Sequence, residues 1–78
     1  MNRSRPANGG RRYVVALAED AEGAIASDGT TVIERTPGIV LLEVETAVAA
    51  KLAREGQHVA VYTFLNDARR MLASLASG

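Results

Sequence analysis

Few side chains in this 78-residue sequence could do acid–base, nucleophilic or metal chemistry. His58 is its single histidine, so no pair of imidazoles can share a metal ion. It opens a strand behind Gly56-Gln57, a place where a solvent-exposed histidine is ordinary. Ser27 and Asp28 precede Gly29 in a turn, where both side chains bond local backbone in preference to activating a nucleophile. Glu19, Asp20 and Glu22 could approach a divalent cation, yet they lack the alternating ligands of a calcium loop and read as a solvated acidic segment. Gly9-Gly10 precedes a strand instead of opening a helix, which is not how a phosphate loop is built. The absence of cysteine excludes a disulfide scaffold and a thiolate metal site. The residues point to a protein that is not an enzyme, with no cofactor and no metal.

Charge is distributed unevenly along the chain. The formal net charge is zero, from nine Lys/Arg and nine Asp/Glu. Arg3, Arg5, Arg11 and Arg12 are unopposed within the first twelve residues, which leaves the other five basic residues facing all nine acids. A basic arm on an acidic body could hold nucleic acid through those four arginines. The sequence around them, with Asn2, Ser4, Pro6, Asn8, Gly9 and Gly10, reads as a disordered arm over 1–12 that the fold can lose without harm. Three aromatic residues offer little for base stacking. No apolar run approaches the roughly 20 residues of a membrane span, and no secretory leader is evident, so the chain is expected in the cytoplasm without a membrane partner.

The remaining residues, 13–78, make one small domain, too small for a cleft between two domains. Tyr13 to Ala18 is a short strand, β-branched at its centre and apolar on both faces. Residues 19–29 hold one or two helical turns at most, weakened by Gly23. Strands over 30–35 and 39–44 form a hairpin around Thr36-Pro37-Gly38-Ile39, where proline presets φ and glycine accepts a positive φ. Thr46 to Glu55 is a helix with Val48 and Leu52 on one stripe, capped by the Thr46 hydroxyl and closed by Gly56. His58 to Phe64 is the last strand. Asn66-Asp67 then caps a helix whose stripe is Ala68, Met71, Leu72 and Leu75. Leu42 and Leu52 are expected in the core between sheet and helix. The order suggests an α+β sandwich of ferredoxin-like β(α)ββαβ type, with a degenerate first helix and an extra C-terminal one. The short 19–29 connection leaves open a direct pairing of the first two strands.

Tyr13, Val15 and Leu17 alternate with Val14, Ala16 and Ala18, and Val40, Leu42 and Val44 alternate with Ile39 and Leu41. Both faces of the sheet are therefore apolar, and one ten-residue helix cannot cover both. The second face is left for the C-terminal helix, a second copy or a partner protein. Of these, a partner or a homodimer meeting Met71, Leu72 and Leu75 is the favoured expectation, because that stripe is small beside four strands.

Gly29-Thr30-Thr31-Val32-Ile33, the hairpin to Leu41-Leu42-Glu43-Val44, the helix through Ala47-Val48-Ala49-Ala50-Lys51-Leu52 and the strand Val59-Ala60-Val61-Tyr62 resemble the propeptides of subtilisin-like proteases. That family includes free-standing inhibitors of similar length. Tyr13-Val14-Val15-Ala16-Leu17 is similar to its opening strand. The resemblance implies a ferredoxin-like sheet packed by two helices on one side, with its open side on a subtilisin-like serine protease. It also implies an extended segment after the last strand entering the active site, which places Tyr62, Phe64 and Leu65 at the partner. The activities implied are inhibition of the protease and assistance in its folding. This sequence departs from the family in its shortened first helix and in the helical pattern of Asn66 to Ser77.

Overall fold

The computed structural model describes residues 10–26, 29–56 and 58–77. Seven elements follow in order: β1 (Arg11–Leu17), α1 (Ala18–Ile25), β2 (Thr31–Thr36), β3 (Ile39–Glu45), α2 (Thr46–Glu55), β4 (Val59–Tyr62) and α3 (Leu65–Ser77). The fold is a small α+β one, a four-stranded antiparallel sheet in the order β2-β3-β1-β4 with three helices. β1 and β2 do not pair; β3 lies between them.

Period-2 alternation sorts the sheet's side chains into two cores. Val14, Ala16, Val40, Leu42 and Val44 point to one side, where they bury Ala21 and Ala24 of α1 and Ala49 and Leu52 of α2. Val15 and Leu41 point to the other, against Ala68 and Leu72 of α3. The order of layers is α1 with α2, then sheet, then α3. Leu42 and Leu52 belong to the first core, as their positions in the apolar pattern predict.

The hairpin turns at Pro37-Gly38, with Gly38 at φ 85°. The Gly38 carbonyl accepts a bond from the Ala18 amide at 2.9 Å, tying the turn to the start of α1. β2 carries a register shift between Val32 and Glu34, a bulge at Ile33, whose side chain packs against the second core.

Several boundaries differ from those expected. Arg11 and Arg12, expected in the arm, are instead the first residues of β1, paired with Glu45 and Val44. Arg11 Nε also donates to Glu43 Oε2 at 2.9 Å, and its Nη2 to the Gly29 carbonyl at 2.6 Å. Arg11 thus ties β1 to β3 and to the entry of β2, which a disordered arm could not do. α1 is a full helix of eight residues, because Ala21 and Ala24 gain a core that outweighs the cost of Gly23 on its exposed side. At α2 the N-cap is Glu45, without a side-chain cap bond, and the Thr46 hydroxyl instead donates to the Gly10 carbonyl at 2.9 Å. β4 ends at Tyr62, and α3 begins at Leu65, one residue before the expected cap.

Gly56 closes α2 for a steric reason. Its φ of −89° is open to any residue. A Cβ there would run into Val59 Cγ2 and lie 3.2 Å from the Leu52 carbonyl oxygen.

Two stability measurements follow. Leu42→Ala should cost about 2–5 kcal/mol in urea unfolding, since a fully buried leucine at the centre of the first core leaves a cavity. Gly56→Ala should cost about 1–3 kcal/mol by overpacking against Val59, and pairing it with Val59→Ala should recover part of that loss.

Candidate functional site

The α3 stripe divides into buried and outward residues. Ala68 and Leu72 sit against Val15 and Leu41, and Leu65 packs beside them. Leu72 is 3% exposed, so it is a core residue and not a partner contact. The sheet face expected to await a partner is covered by the chain's own helix. A thirteen-residue helix reaches β1, β3 and β4, more than the count of apolar residues alone suggests, because Tyr13, Ile33, Ile39 and Tyr62 fill in around it.

What remains outward lies around α3 and β4. Phe64 is 67% exposed, Leu75 51%, Val61 39% and Met71 36%. Tyr62, Asp67, Arg70, Met71 and Ser74 line a shallow groove of about 460 Å³ between α3 and the end of β4. Its rim carries both charge signs, with Arg70 Nη2 donating to Asp67 Oδ1 at 3.1 Å. Of the expected partner residues, Phe64, Met71 and Leu75 are therefore exposed, Tyr62 is shared between core and groove, Leu65 is half-buried beside the core, and Leu72 belongs to it.

The two edges of the sheet differ. β2 carries Glu34 and Arg35 and a bulge, all devices that discourage pairing with another strand. β4 is Val59-Ala60-Val61-Tyr62, with no charge, proline or bulge, and among the described residues nothing pairs with its outer side. Its one safeguard is its length of four residues. Val61, next to Val14 in register but at the sheet's rim, was missing from the sequence-derived site. The uncharged run was visible in the sequence, but its place at an edge depends on strand order.

The groups considered for chemistry stay apart. His58 is exposed and lines an apolar recess of about 270 Å³ with Val15, Ala16, Leu17, Ile39 and Leu75. A larger hollow of about 520 Å³ between α1 and the hairpin turn holds one acid, Glu22, and one base, Arg35. Asp20, in the first turn of α1, has one oxygen buried without a hydrogen-bond partner among the described residues. No cluster of three or more metal-ligating side chains occurs among them, and no helix among them is long and apolar enough to cross a membrane. For nucleic acid, Arg11 is occupied by Glu43 and the Gly29 carbonyl, and Arg12 Nη1 donates to the Arg11 carbonyl at 2.9 Å. Arg3, Arg5, Ser27 and Asp28 lie outside the described residues.

No protein-family model, curated protein or solved structure matches the chain.

One contrast separates core from surface on α3. Leu72→Asp should lower the unfolding midpoint of the monomer sharply, because a carboxylate would be buried without a partner against Val15 and Leu41. Phe64→Asp, at a residue 67% exposed, should leave the midpoint nearly unchanged. Equal effects of the two would place α3 elsewhere.

Proposed function

We propose that this chain is a non-catalytic protein-binding module of ferredoxin-like type, which takes its partner at the outer edge of β4. The ferredoxin-like assignment is supported by the strand order, in which each β-helix-β passage skips one position of an antiparallel sheet. The single observation that carries the binding reading is the unguarded β4 edge, flanked by exposed Val61, Phe64 and Met71. An extended strand added there would satisfy the outward backbone groups of β4 and cover those side chains.

The resemblance to subtilisin-type propeptides supplies the runner-up, a protease inhibitor or folding helper. That mode uses a bare sheet face and an extended tail. Here α3 stands on that face and makes the segment after β4 helical, so inhibition would require α3 to leave the sheet. Binding at the β4 edge requires no such rearrangement.

The test is selection of phage-displayed peptides on the immobilised full chain, followed by mapping of bound peptides through backbone amide shifts. Peptides are expected to be extended and apolar, to shift residues 59–64, and to lose binding to Val61→Lys. Peptides that map to β2 or to the hollow beside α1 would overturn the edge reading. Loss of activity of a subtilisin-type protease on adding the intact chain would favour the inhibitor instead.

A further inference from the structure

We infer that the occupant of the β4 edge is a second copy of this chain, in a two-fold dimer that joins the two β4 strands antiparallel into one continuous eight-stranded sheet. The inference rests on the edge-binding reading and adds the identity of the partner. An isologous contact needs a surface complementary to itself, and β4 offers one.

Parity fixes which registers are possible. A two-fold axis normal to a continuous sheet keeps each face on its own side, so a β4 residue can only oppose a residue of the same face in the second copy. Val59 and Val61 lie on the α1–α2 side, where Val61 pairs with Val14; Ala60 and Tyr62 lie on the α3 side, where Tyr62 pairs with Tyr13. Centring the axis on Val61 sets the two exposed valines against each other. It places the small Ala60 opposite the large Tyr62 of the second copy, and Val59 opposite its Thr63. No charge meets a like charge along the strand.

The α3 flank extends the match. A four-residue strand alone falls well short of the roughly 800 Å² per partner that stable interfaces bury. The groove of Tyr62, Asp67, Arg70, Met71 and Ser74 runs from α3 to Tyr62 of the edge strand, so the axis sets two such grooves on the same side of the joined sheet. Each presents apolar Met71 beside one acid and one base, a set that complements its own copy. The zero formal net charge adds no long-range repulsion between copies. β2 cannot do the same, because its bulge and its Glu34-Arg35 pair interrupt a regular ladder.

The experiment uses the full chain, which contains no native cysteine. Sedimentation equilibrium from low to high micromolar concentration should give a mass twice the 8.2 kDa of the chain. Val61→Lys should reduce it to one chain while keeping the far-ultraviolet circular dichroism of the wild type. Val61→Cys should form a disulfide-linked dimer on mild oxidation, and Ala47→Cys on the exposed side of α2 should not. If Val61→Lys fails to fold, the Val61→Cys cross-link decides: its formation supports the dimer and its absence overturns it. A wild type that stays at one chain throughout, or a dimer untouched by Val61→Lys, also overturns the inference. A one-chain wild type that still binds selected peptides at 59–64 removes the second copy but leaves the edge reading standing. A one-chain wild type whose peptides bind elsewhere removes both.

Discussion

The antiparallel pair of β1 and β3 buries side chains in both directions, and the rest of the molecule is arranged to keep water off its two sides. Val14, Ala16, Val40 and Leu42 go one way, Val15 and Leu41 the other. Burying a leucine or valine is worth roughly 1.5–3 kcal/mol, so in a domain of this size neither face can be left wet. α1 and α2 share one face through small residues, alanines at 21, 24 and 49, which let two short helices approach the sheet together. α3 supplies the cover for the other face. The hairpin turn is tied to the first helix through Gly38 and Ala18, and the first strand to the second through Arg11 and Gly29, so the layers are also held at their ends.

With both faces covered, the sheet has only its edges left for recognition. An edge strand presents unpaired backbone groups at regular spacing, and it recruits another strand unless charge, proline or a bulge prevents it. β2 has such protection and β4 has none beyond its shortness. That asymmetry turns a packing requirement into a functional reading. α3 occupies the face on which a propeptide-like domain would receive its protease, and the apolar residues left outward gather near the unprotected strand.

Much of this was legible in the sequence. β-branched runs marked the strands, Pro37-Gly38 marked the turn, and the spacing of Val48 and Leu52 marked α2. The two-faced apolar pattern of 13–18 and 39–44 foretold two sheet faces in need of cover. Less visible was which element would cover the second face. Ala68 and Leu72 look slight as a stripe, but partial burial of Tyr13, Ile33, Ile39 and Tyr62 widens the contact beyond what the helix alone supplies. Arg11 and Arg12 read as an arm because four arginines clustered without acids, whereas Glu43 comes within reach only once β1 and β3 are paired. Val61 escaped notice for a similar reason, since its exposure is a property of strand order.

Amide hydrogen exchange followed as a function of protein concentration tests the central claim, that a sheet covered on both faces joins a second copy of itself through its open β4 edge. Slow exchange in β1 and β3 at every concentration is expected, with protection at 59–62 rising with concentration while 31–36 stays constant. Exchange at 59–62 that does not respond to concentration, or a rise confined to 31–36, would contradict the account.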